Sequence, residues 1–146
     1  MNVPVSLDSN ILVYAALEAG SEKGKQAART IELAAPRCIL TVQALLEFLA
    51  VVRRREPTLT SLAVDQVVAW AGALETAPTT DAIMSSALVL VRDHKFQVWD
   101  AVIWSAARAA GATVLFSEDM QHGFALDGMR AVNPFALSET ELQALL

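Results

Sequence analysis

Sixteen acidic residues are spread along the 146-residue chain, and most lie among polar neighbours, as Glu22, Glu56, Glu139 and Glu141 do, where a solvated face accounts for them. Three are placed differently. Asp8 closes the run Val5-Ser6-Leu7, Glu47 interrupts Ala44-Leu45-Leu46 and Phe48-Leu49-Ala50, and Asp100 stands between Val98-Trp99 and Ala101-Val102-Ile103-Trp104. An ionised carboxylate buried without partners is costly and normally neutralises itself, so a partly buried group of them implies a compensating cation. A fourth acid, Asp119, follows the apolar run Thr113 to Phe116 and reaches the same rim as Asp8 if the two runs are parallel strands. All-oxygen ligation suits hard ions, and Mg²⁺ or Mn²⁺ binds through a few carboxylates while keeping several waters. Such ions activate water, orient a phosphodiester and offset the charge that develops as it is cut.

Each acid also has an ordinary explanation. Asp8 can cap a helix, Asp100 can cap the helix that follows it, Glu47 can pair with Arg53 or Arg54, and Asp119 can be a turn residue. Asp65 serves as a control: it too has apolar neighbours, Val64 and Val67, yet Ser61 and Gln66 mark an exposed helix face. Joint placement of the four, not any one of them, points to a metal site.

The formal charge of −5 argues against a broad basic surface that grips nucleic acid by counterion release. Four clustered acids supply most of that charge, however, and two divalent ions would roughly neutralise them. Arg53, Arg54, Arg55, Arg92 and Lys95 are then available to a phosphate backbone, although a solvated helix end is the simpler reading of the arginine run. Cys38 is the only cysteine, which excludes an internal disulfide and a cysteine metal cage; it reads as a small core residue. Apolar residues make up 54% against 18% charged, more core material than a typical domain of this length carries, and the surplus can coat an interface. The longest apolar candidate, Ala82 to Val91, is about half a membrane span and contains two serines. The opening MNVPVSLD has neither the basic start nor the apolar stretch of a secretion signal, so a cytoplasmic protein is expected.

The elements that must position the acids follow from periodicity. Val3, Val5 and Leu7 alternate into a strand ending at Asp8, after which Ser9 or Asn10 can cap a helix through Leu17. Gly20 to Gly24 is a polar turn, and Lys25 to Ala35 is helical until Pro36. Cys38 to Leu40 is a second strand, and Thr41 caps a helix from Val42 to about Arg55. Helical spacing returns over Leu62 to Thr76, Asp81 to His94, and Val98 to Ala110, closed by Gly111. Thr113 to Phe116 is a buried strand, Arg130 to Asn133 a last short one, and a small helix ends the chain. Strands separated by helices favour a mostly parallel sheet, with ligands outside the carboxyl ends of the strands. No linker, repeat or low-complexity tract divides residues 1–146, so a single domain is expected.

The same segments resemble the PIN-domain family, in particular its VapC-like toxin branch. The resemblance is carried by Leu7-Asp8-Ser9-Asn10-Ile11-Leu12-Val13-Tyr14, Gln43 to Phe48 around Glu47, Val98-Trp99-Asp100-Ala101-Val102-Ile103, Leu115-Phe116-Ser117-Glu118-Asp119 through Gly123, and the ending Asp127-Gly128-Met129-Arg130 to Asn133-Pro134-Phe135. Each string is common alone; their order and spacing are specific. The resemblance implies a three-layer α/β/α domain with a central, mostly parallel sheet of four to five short strands. It implies that Asp8, Glu47, Asp100 and Asp119 form a catalytic quartet that coordinates Mg²⁺ or Mn²⁺, with Glu118 an alternative for the fourth position, and that Asn10 and Ser117 support it by hydrogen bonding. It further implies endonucleolytic hydrolysis of RNA by in-line attack of water, a homodimer, and a VapB-like antitoxin whose tail enters the acidic cleft.

Two other classes compete. A phosphotransfer enzyme or receiver domain also ends its first parallel strand in aspartate. A haloacid-dehalogenase-type phosphatase, however, needs a second aspartate where Asn10 stands, and a receiver needs an adjacent acidic pair and a later lysine. A catalytically silent module that binds RNA or protein with the same fold is the third reading.

Overall fold

The computed structural model describes residues 3–146. Strand β1 (Val5–Leu7) leads into helix α1 (Ser9–Leu17), α2 (Glu22–Ala34), β2 (Ile39–Thr41) and α3 (Val42–Arg55). Then come α4 (Thr60–Ala73), β3 (Glu75–Ala77), α5 (Asp81–His94), α6 (Val98–Ala109), β4 (Val114–Phe116), β5 (Ala125–Leu126), β6 (Met129–Val132) and α7 (Glu139–Leu145).

The central sheet has four strands in the order β1-β4-β6-β5, with β1, β4 and β6 parallel and β5 antiparallel to β6. A two-residue turn, Asp127-Gly128, joins the antiparallel pair; both residues have positive φ (53° and 84°), the twist that tight hairpins favour and that glycine adopts freely. Beside this sheet β2 and β3 form a parallel ladder of their own. It meets β1 at a single bridge, Val5 to Cys38, and through the buried Ser6 hydroxyl, which donates to the Ile39 carbonyl at 2.5 Å.

Period-two alternation in β4 sorts its side chains into two cores. Val114 and Phe116, with Val5, Leu7 and Val132, pack beneath Ile11 and Leu12 of α1, Ala27 of α2, and Leu45 and Phe48 of α3. Leu115, with Ala131 and Met129, packs on the other face against Leu90 of α5 and Ile103 and Trp104 of α6. Helices therefore cover both faces, the arrangement expected of a parallel sheet, and the fold is the three-layer α/β/α one that the sequence implied.

Several boundaries differ from the sequence reading. Val3 lies outside β1, which begins at Val5. Helix α2 begins at Glu22 rather than Lys25, because the Ser21 hydroxyl caps it by accepting from the Gly24 N–H at 2.9 Å. Gly24 belongs inside the first turn: a β-carbon there would lie 1.7 Å from the Glu18 carbonyl oxygen, so only glycine lets α2 approach the end of α1. Helix α4 stops at Ala73, where Leu74 turns extended, and Glu75 to Ala77 pair with β2 and bury Ala77 instead of continuing the helix. Strand β5 is an addition of two residues. Elsewhere Thr41 caps α3 as expected, its hydroxyl accepting from the Ala44 N–H at 3.1 Å, and Gly111 (φ 99°) follows the end of α6.

Candidate metal centre

Asp8 is held in place before any ligand is considered. Its N–H donates to the Phe116 carbonyl at 2.8 Å, extending the β1–β4 ladder by one residue. Its side chain, only 2% exposed, accepts from the Ser9 N–H at 2.7 Å on one oxygen and from the Ser117 hydroxyl at 2.7 Å on the other. It thus caps α1 while lying at the carboxyl ends of the strands, so its capping role does not remove it from the cleft. The Asn10 amide nitrogen sits 3.4 Å from both Asp8 Oδ2 and Ser117 Oγ, while its oxygen accepts from the Glu118 N–H at 3.3 Å. Ser117 Oγ also accepts from the Asp119 N–H at 3.1 Å. Asn10 and Ser117 therefore tie the end of β1 to the turn after β4, and that turn carries Asp119.

Glu47 arrives from α3 and Asp100 from the first turn of α6, whose cap position is Gln97; Asp100 is therefore not the helix cap, but it lies where the helix dipole favours a negative charge. All four acids line one cleft of about 340 Å³, together with Asn10 and Arg55. Burial pushes the Glu47 carboxyl up to about 7, with Asp8, Asp100 and Asp119 adding repulsion. Burial likewise raises Asp100 to about 6, with further repulsion from Asp8 and Asp119. Asp8 is raised chiefly by burial, against the opposing hydrogen bonds from Ser117 and Ser9.

Among the described residues no ion pair reaches Glu47; Arg53 and Arg54 face solvent, which removes the pairing explanation. One Glu47 oxygen, Oε2, is buried with no hydrogen-bond partner. A carboxylate with one orphaned oxygen, in a cleft shared with three other acids, fits a hard divalent cation, which would supply the missing positive charge. Among the described residues no three acid, histidine or cysteine side chains close into a preformed cage.

The structure separates Glu118 from Asp119. Although partial burial works to raise it, the Glu118 carboxyl is lowered overall by its hydrogen bond and ion pair with Lys23 of α2, with the nearby Tyr14 hydroxyl adding to the effect. The Lys23 ammonium also lies over the Tyr14 ring, 5.1 Å from its centroid, and over Phe135 at 5.3 Å. Asp119 acts instead on Asp8, Glu47 and Asp100. Sequence reasoning did not single out Lys23 or Tyr14. Lys23 gave no signal, being a polar residue in a polar turn; Tyr14 gave one, since it lies four residues beyond Asn10 and so on the same helix face. Asp65, the control, is exposed on α4.

The PIN domain family model matches residues 5–124, which include all four acids. The chain belongs to the PIN domain family. Solved structures share the fold of this PIN domain at low identity. VapC20 of Mycobacterium tuberculosis, described as a toxin that cleaves the sarcin-ricin loop, superposes with TM-score 0.67 at 16% identity over 79% of this chain and 89% of that one. A chain of a toxin–antitoxin complex from Klebsiella pneumoniae gives 0.69 at 16% over 91% and 99%. One from DNA-bound VapBC of Salmonella typhimurium gives 0.64 at 15% over 88% and 96%. No curated protein sequence matches the chain significantly.

Proposed function

We propose that this PIN domain, acting as one unit over residues 1–146, is a Mg²⁺- or Mn²⁺-dependent endoribonuclease and the toxin of a VapBC-type pair. The observation that carries the reading is the cleft itself, where four carboxylates from four separate elements meet and, among the described residues, no ion pair reaches Glu47. Asp8, Glu47, Asp100 and Asp119 would hold the ion, and Ser117 and Asn10 fix the orientation of Asp8. The bound ion supplies charge compensation at the phosphodiester and makes water a better nucleophile near neutral pH. Glu47 and Asp100, raised to about 7 and about 6, release their protons as cation binds.

The structural relatives solved as toxin–antitoxin complexes support a VapB-like antitoxin as partner. Exposed apolar side chains on α5 and at the start of α6, including Met84, Leu88, Val98 and Trp99, support a homodimer. Among the described residues no helix is long and apolar enough to cross a membrane.

The test is cleavage of RNA by the purified chain with Mg²⁺ or Mn²⁺. The expected result is cutting that stops with chelator and in Asp8→Asn. Cutting that survives both contradicts the metal reading, and RNA retention without cutting points to the silent binding module.

A further inference from the structure

Beside the acid cleft lies a second hollow of about 390 Å³, and the two meet along a seam formed by Gln97, Asp100 and Asp119. Its lining differs in kind from the cleft. Phe96 and Phe124 present half-buried rings with centroids 5.6 Å apart, and both rest edge-on against the buried Trp104, at 5.7 and 5.4 Å. Three interlocked rings make a rigid platform with a partly open apolar surface. Gln97 and Gln121 bring amides to the same hollow, and Lys95 brings a cation.

Lys95 is held there against conformational preference. It ends α5 in the left-handed region (φ 57°, ψ 31°), with its N–H and that of Phe96 both directed to the Leu90 carbonyl. Such a cap position favours glycine, which has no β-carbon to crowd. A strained non-glycine residue at the mouth of a site is an indication of use.

We propose that this hollow is a nucleotide subsite for single-stranded RNA, with a base laid on Phe96 and flanked by the inclined Phe124 ring, its edges met by Gln97 or Gln121, and the adjoining phosphate held by Lys95. Aromatic faces, amides and a cation together match a nucleotide, and a base can reach the platform only when it is unstacked from a helix. The seam then places the next phosphodiester over Asp100 and Asp119. Arg55, at the other end of the acid cleft, is only loosely held by Glu18 at 3.7 Å and is free to take a phosphate further along the strand. The subsite deepens the ribonuclease reading by naming what holds the strand beside the acids.

The probe is a short, fluorescently labelled single-stranded RNA of mixed sequence with 2′-O-methyl riboses, titrated by anisotropy across salt concentrations. For Lys95→Gly the expected results are weaker binding and a salt slope reduced by about 1. The thermal midpoint should rise by roughly 2–3 °C, because the left-handed strain is relieved, and Mn²⁺ affinity should be unchanged. Phe96→Leu, which keeps the apolar packing and removes the ring, should weaken binding roughly tenfold with the salt slope intact. An unlabelled duplex of the same sequence should compete poorly. If the wild type cuts RNA and both variants bind and cut as it does, the subsite is wrong and the ribonuclease reading stands. If the wild type binds with the predicted dependence on Lys95 and Phe96 yet does not cut, the subsite stands and the catalytic reading falls. Absence of binding by the wild type overturns the subsite, and so does equal competition by duplex.

Discussion

Two groups of carboxylates, adjoining in the chain at Glu118 and Asp119, behave in opposite ways. In the cleft, Glu47 and Asp100 are raised by burial and by other acids. On the flank formed by α2, Glu118 pairs with Lys23, and Glu139 and Glu32 with Arg29; Glu118 and Glu139 are lowered. Cations were available to the fold, since Lys23 stands beside the cleft and Arg55 lines it, yet none neutralises Glu47. A scaffold pairs its charges when stability is the only demand; leaving four acids unpaired reserves them for something that comes from outside.

The largest expected effect is on the cleft side. Asp100→Asn removes a proposed ligand and should lower cleavage by more than the roughly 100-fold that loss of a supporting partner costs. The same change relieves repulsion, so the metal-free protein should melt at a higher temperature; a lower melting point with activity retained would erase the contrast. Next comes Ser117→Ala, which leaves a buried Asp8 oxygen with a weakened partner set. It should cost about 1–3 kcal/mol in denaturant unfolding and roughly 10- to 100-fold in Mn²⁺ affinity by calorimetry.

A pH series gives a smaller effect with a defined sign. Glu47 binds its proton more tightly folded, about 7, than at its ordinary value of 4.5. Between those values the folded state carries more protons than the unfolded one, so metal-free stability should fall as pH rises from 4.5 through 7. Added Mg²⁺ or Mn²⁺ should restore it mainly at the upper end, where the acids are ionised, and chelator should remove the gain. A metal-free midpoint that rises over this window would contradict the site. The smallest effects belong to the flank: Glu118→Gln should leave Mn²⁺ affinity and melting almost unchanged, whereas Asp119→Asn should weaken the metal. Equal losses from the two would put Glu118 back among the ligands.

Much of this was legible because burial leaves a mark on sequence. Asp8, Glu47 and Asp100 stood out as charges in apolar surroundings, and the strands ending at Leu7 and Phe116 brought Asp8 and Asp119 to one rim. What stayed hidden depended on contacts distant along the chain. Strand β3 has two exposed residues of three and continues the spacing of α4, so nothing local distinguishes it; pairing with β2 decides it. Strand β5 is too short to show alternation. Lys23 and Glu118 are polar residues in polar stretches 95 positions apart, and only the packing of α2 beside α1 makes them a pair. The split between Glu118 and Asp119 therefore needed coordinates, whereas membership of the acid group did not.

The junction between the two ladders, one bridge and one serine hydroxyl, has a mechanical meaning. Glu47 is delivered from the β2 side of that junction, Asp8 and Asp119 from the β1–β4 side. A cation shared by these acids would tie the two ladders together, so that loading the site and bracing the architecture become one event.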